Sequence, residues 1–210
     1  MNNIKTFGGI GHEYSDLNKS EILLQSIPYD GTSTWGKGAD KGFDVFLDAA
    51  ENMELYDIET DSEVYRKGIH LSPVIDEKSS PESVYEAVKT KTQLLLSKNK
   101  FLTFFGGEHS ISIGIIDAYR EAFPDLTVLQ LDAHTDLREQ YLGSPYNHAC
   151  AMHKASKETN LVQVGIRSMD ICEKEHMNPD KCFFAHMMNS DKSWEEDSID
   201  LMSTNVYLTI

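Results

Sequence analysis

Short apolar runs alternate along the chain with longer segments whose apolar positions recur at helical spacing. ILLQSI (22–27), FLTFF (101–105), LTVLQL (126–131), LVQVGI (161–166), CFFA (182–185) and NVYLTI (205–210) read as strands. FDVFLDAAENMELY (43–56) suits a helix. Ser80-Pro81-Glu82 is a helix opening, serine at the cap and proline in the first turn, and Val84, Ala87, Val88 and Leu95 follow at roughly helical spacing. Ser110 to Phe123 is a further helix, stopped by Pro124, and AMHKASK (151–157) a shorter one. Apolar strands separated by crossover helices predict a three-layer α/β fold with a mostly parallel sheet. A single domain over residues 1–210 accounts for the length.

Ligands collect at the carboxyl ends of strands in such sheets, and two strand ends here carry chemistry. LQLDAHTD (129–136) closes an apolar run with Asp132, His134 and Asp136. Burying one unpaired carboxylate is costly, so three ionisable groups this close need water or a shared counter-charge. FLTFF runs into GGEHS (106–110), where two glycines let the backbone turn sharply and set His109 just ahead of a helix. A continued strand would separate the Cα atoms of Asp132 and Asp136 by ~13 Å, so the segment must curl after Asp132 or serve two ions close together. Either motif alone reads also as a solvated loop. Both at the ends of neighbouring apolar strands point to divalent cations. Imidazole mixed with carboxylate suits Mn, Zn, Fe or Ni, and a carboxylate-rich set leans towards Mn.

His148, in GSPYNHAC, lies twelve residues beyond Asp136. On spacing alone it is either a satisfied loop histidine or a functional group. His12, His70, His153, His176 and His186 lack acidic or glycine-turn contexts, and surface or packing roles are their default.

Composition narrows the partners. The formal charge of −15, from 34 acids against 19 bases, argues against nucleic acid and anionic membranes and mildly favours cationic ligands. Three cysteines without a CxxC pair read as idle thiols in a reducing compartment. The start, MNNIKTFGGIGHEY, has no basic segment leading into an apolar core, and no apolar stretch approaches the ~18 residues a bilayer needs. A cytoplasmic protein is the expectation.

GGEHS (106–110), LDAHTDLR (131–138) and YNHAC (146–150) together resemble the ureohydrolase family, the arginases and agmatinases. SIPYDGTSTWGKGADKG looks like that family's N-terminal signature, AAENMELYDIE like the helix and acidic segment after it, and VQVGIRS (162–168) like the later strand and turn. DLREQYLGSPYNHAC is closer to the agmatinase loop than to that of the arginases, and no clamp for an α-carboxylate is visible. The resemblance implies manganese-dependent hydrolysis of agmatine to putrescine and urea, in polyamine synthesis. Other guanidino compounds, such as arginine or guanidinobutyrate, are the nearest alternative. It implies that His109, Asp132 and Asp136 hold one manganese ion, that His134 and the shared Asp132 hold a second, and that His148 moves protons as general acid/base. It also implies assembly into homotrimers or hexamers.

One departure stands out. The family's remaining ligands form an Asp-x-Asp pair just after a strand that reads much like NVYLTI, and the chain ends at Ile210. The glutamate that contacts the guanidinium, further on, is absent too. The expectation is a chain lacking its C-terminal portion, which binds manganese weakly and releases no urea by itself. A shortened, non-catalytic relative is the competing reading. A non-metal α/β binding module would instead require Asp132, His134 and Asp136 to be solvated.

Overall fold

The apolar run Ile22–Ile27 is a strand, β1, and every residue in it after Ile22 is buried. β2 (Ile69–Ser72) and β3 (Phe101–Gly106) flank it in parallel, in the order β2-β1-β3, with Ile22 opposite both Ile69 and Phe101. The computed structural model describes residues 5–190 and 192–210. Met1–Ile4, where the segment read for a leader begins, lie outside them. The chain divides into two compact units, one comprising Met1–Lys78 and Gln93–Glu108, the other Ser79–Thr92 and His109–Ile210.

In the first unit, helix α1 (Gly42–Ala50) buries Phe43 and Leu47 against Leu24. Phe46 stacks on Phe105 with ring centroids 4.3 Å apart. The apolar pattern predicts this helix to Tyr56, but it ends six residues earlier. Met53 and Tyr56 stand half exposed, so the apolar pattern past Ala50 does not mark a buried helical face. Asp57 then diverts the chain by accepting the amides of Glu59 and Thr60. β2 is unmarked by the sequence pattern, being four residues long with His70 inside it.

Gly107 follows β3, and its φ is not positive, so the need for glycine here is one of space. An added Cβ would lie 1.8 Å from the Tyr29 carbonyl oxygen, to which the next amide, Glu108 N–H, donates at 2.9 Å. Gly107→Ala must push these segments apart. It is expected to cost about 1–3 kcal/mol, as overpacking does, and to lower the thermal midpoint by circular dichroism. An unchanged midpoint would contradict this account of the glycine.

The second unit has a parallel sheet in the order β6-β5-β4-β7, built from β4 (Thr127–Leu131), β5 (Asn160–Ile166), β6 (Cys182–Phe184) and β7 (Val206–Thr209). Helix α2 (Pro81–Leu96) opens as its sequence predicts, with Ser80 Oγ accepting the Ser83 amide at 3.1 Å. Helices α3 (Ile111–Ala122) and α4 (His153–Glu158) join β4 and β5 in a core of Tyr85, Ile113, Ile116, Val128, Leu137, Met152 and Leu161. Two short helices, α5 (Ala185–Met188) and α6 (Trp194–Asp200), add to the elements the pattern marked.

All these strand pairings are parallel, as continuous apolar runs require. Among the described residues, no helix is long and apolar enough to cross a membrane. The three cysteines are free thiols. Burial pushes Cys150 up to about 12 and Cys182 to about 11, which makes both poor nucleophiles at neutral pH.

Candidate metal centre

The site lies in the second unit, and its shape begins with two buried glutamines at the same register of β4 and β5, Gln130 and Gln163. Gln163 Nε2 donates to Gln130 Oε1 at 2.6 Å and to the Thr135 carbonyl at 2.9 Å. Gln130 Nε2 in turn donates to the His134 carbonyl at 3.1 Å. The chain leaving β4 is thus drawn back under itself. From the other side, the amides of Arg167 and Ser168 both donate to the Ala133 carbonyl, at 2.9 and 3.0 Å. Gly165, at φ +88, makes room for this curl, since a Cβ there would sit 3.3 Å from the Asp132 carbonyl.

The curl after Asp132, one of the two arrangements that the spacing of Asp132 and Asp136 allows, is therefore present. Asp136 completes it with φ +51, a left-handed conformation unusual for a residue other than glycine but tolerated by aspartate. His109, two residues before α3, meets the two carboxylates. Its Nδ1 lies 2.8 Å from Asp136 Oδ2 and 3.4 Å from Asp132 Oδ2. One potential ligand atom from each of the three residues lies within 4.8 Å of the others.

This donor set fits a divalent cation. Two carboxylates aim at one ring nitrogen, and a single N–H there can satisfy only one of them, so protein alone leaves like charges facing each other. A cation among the three atoms relieves that repulsion, and mixed oxygen and nitrogen donors suit Mn, Zn, Fe or Ni. On the far side of the ring, His109 Nε2 is 2.9 Å from Thr209 Oγ1 of β7. An outer hydrogen bond of this kind fixes the tautomer and ring orientation of a metal-bound imidazole.

His134 and His148 stand apart from this group. The His134 side chain is 64% exposed, with Nδ1 3.5 Å from Asp132 Oδ1, and its amide donates to that same oxygen at 2.9 Å. His148 packs edge-on to Tyr141 at 6.2 Å between ring centroids, and the Arg138 guanidinium covers the Tyr141 ring at 4.8 Å. His153 has a packing role. Lys157 Nζ can only donate to its Nε2, so Nδ1 carries the proton that bonds the Leu137 carbonyl at 2.8 Å.

Thr209, Gln130 and Gln163 are absent from the residues the motifs single out. A signal for the glutamines does exist, because each interrupts an apolar strand (LQL, VQV) with a group that must be satisfied when buried. Thr209 has no such signal, since its partner is 100 residues away.

A family model described as the Arginase family matches residues 20–210. An N(1)-aminopropylagmatine ureohydrolase of Synechocystis sp. is 31% identical over 90% of this chain and 65% of its own length. An agmatinase of Halalkalibacterium halodurans is 27% identical over 93% of this chain and 69% of its own. The crystal structure of the agmatine ureohydrolase of Thermoplasma volcanium superposes with a TM-score of 0.80 at 26% identity, covering 91% of this chain and 66% of that one. The chain thus spans about two thirds of the length of these relatives.

Proposed function

Since the chain belongs to the arginase family, we propose that it is the metal-binding part of a ureohydrolase acting on agmatine or a closely related guanidino polyamine, with manganese as the metal. The observation that carries this reading is the convergence of His109, Asp132 and Asp136. His109 Nδ1 and one oxygen from each carboxylate would hold one ion, and His134, beside the other oxygen of Asp132, would serve a second. A metal held there supplies Lewis acidity and lowers the pKa of its bound water towards neutrality.

The protein's own groups do the rest. Thr209 keeps the His109 ring in place, and the buried glutamines keep Asp132 and Asp136 on one side of the curl. His148, outside the ligand group, is the candidate to pass protons between solvent and the leaving amine. The acidic surface favours approach of a polycation. Homo-oligomeric assembly and residence in the cytoplasm belong to the same proposal.

The choice between agmatine and its aminopropyl derivative is open to a direct assay, and the named relatives favour each in turn. Where the reading frame continues past Ile210 into an Asp-x-Asp pair, the manganese-loaded product is expected to release urea. It should act on agmatine or aminopropylagmatine faster than on arginine or guanidinobutyrate. A frame without that pair, or a product that releases urea from none of the four, would overturn the reading.

A further inference from the structure

Glu173 is a buried carboxylate, 4% exposed, that the proposed chemistry does not use. Both its oxygens are taken by backbone amides. Oε1 accepts the Leu137 N–H at 2.9 Å, and Oε2 accepts the Asp170 N–H at 2.6 Å. A side chain so enclosed, with each oxygen held by a backbone amide, is not presented to a substrate. The position of its first partner is what matters, because the Leu137 amide belongs to the peptide group that leaves Asp136.

That peptide group is pinned at both ends. The Asp136 carbonyl accepts the Met152 N–H at 2.9 Å, while the amide end is held by Glu173. The next peptide is clamped as well, with the Leu137 carbonyl accepting from His153 Nδ1 at 2.8 Å and the Arg138 amide donating to the Ala149 carbonyl at 3.2 Å. The Leu137 side chain is fully buried. Glu173 is itself anchored by the capping box it forms with Asp170, whose Oδ2 accepts from Arg138 at 3.0 Å. The orientation of a peptide plane sets the ψ of the residue before it. Asp136 sits at φ +51, a conformation that persists in a non-glycine residue where its surroundings over-determine it.

We propose that Glu173 is a positioning residue for the metal centre: by holding the Asp136–Leu137 peptide plane, it keeps Asp136 in the left-handed conformation that turns its carboxylate towards His109 and Asp132. The inference rests on reading those three residues as metal ligands.

The test is a Mn²⁺ titration of the whole chain, with free ion followed by electron paramagnetic resonance and melting of the metal-free proteins by circular dichroism. Glu173→Gln keeps an acceptor for one amide and sets an NH₂ against the other, whereas Glu173→Ala satisfies neither. Val162→Ala removes two methyl groups from a fully buried position of β5 whose side chain makes none of the clamp's hydrogen bonds, and serves as the stability control. Loss of an outer-shell partner typically weakens metal binding 10- to 100-fold. Glu173→Gln is expected near the lower figure and Glu173→Ala nearer the upper, with Val162→Ala binding as wild type despite a lower melting temperature. Wild-type Kd values in folded Glu173→Gln, or losses no greater than in Val162→Ala, would overturn the positioning role alone. A wild-type chain that takes up no Mn²⁺ would instead overturn the metal reading, and this inference with it.

Discussion

Asp132→Asn is expected to abolish measurable Mn²⁺ binding while leaving the metal-free protein as stable as wild type, or more so. Asp132 presents one oxygen to the group containing His109 and Asp136 and the other towards His134, so it contributes to both proposed ion positions. Loss of a direct ligand should exceed the ~100-fold ceiling seen for outer-shell partners. The stability half of the expectation has a separate cause. Asp132 and Asp136 offer ligand atoms within 4.8 Å of each other, and two unit charges at that distance repel by roughly 3 kcal/mol at an effective dielectric near 20. Neutralising one removes repulsion that only a cation otherwise relieves. Isothermal titration and a thermal melt of the same preparation read both halves. Asp132→Asn that bound metal normally would contradict the ligand role, and a destabilised variant would contradict the repulsion between the two carboxylates.

Asp117→Asn is expected to do the opposite, damaging the fold and leaving the proposed metal ligands alone. Asp117, on α3, is 2% exposed. Its Oδ2 accepts the Tyr85 hydroxyl at 2.6 Å and the Lys154 ammonium at 2.5 Å, and Arg120 lies 3.5 Å from Oδ1. Burial alone would raise its pKa, but bonds to Lys154 and Tyr85 outweigh that and hold the carboxyl below its ordinary range. Removing one partner of a buried pair costs about 3–5 kcal/mol. The lower end applies here, because the Lys154 side chain is 43% exposed and can turn to water. For a chain of this size that is a fall of about 6–12 °C in melting temperature.

The pH dependence follows from the sign of the shift. A carboxyl with a depressed folded pKa stabilises fully above its unfolded value, near 3.9, and loses that contribution as pH falls through the folded value. The gap between wild type and Asp117→Asn should therefore be widest near neutrality and narrow below about pH 4. Denaturant melts across that range measure it. A gap that widened in acid would contradict the assignment.

The sequence carries the parallel strands because their apolar runs are long and continuous, and it carries the candidate site residues because DxHxD and GGxHS interrupt those runs abruptly. What it does not carry is long-range hydrogen bonding. Glu173 reaches Leu137 across 36 positions, and Thr209 reaches His109 across 100. Neither residue has a local context that betrays its partner. Helix α1 is shorter than its periodicity predicts because Met53 and Tyr56, past Ala50, stand half exposed, a tertiary fact. β2 is missed because four residues hold too little pattern to separate a short strand from a loop. The role of Gly107 was only half legible. A glycine after a strand suggests a turn, whereas the structure requires it for the close passage of Tyr29.

Anomalous diffraction at the manganese edge, from crystals of the chain soaked in MnCl₂, tests the central claim most directly. A peak is expected among His109 Nδ1, Asp132 Oδ2 and Asp136 Oδ2, within direct coordinating reach of all three atoms. No peak there, with the three side chains turned apart into solvent, would contradict the account.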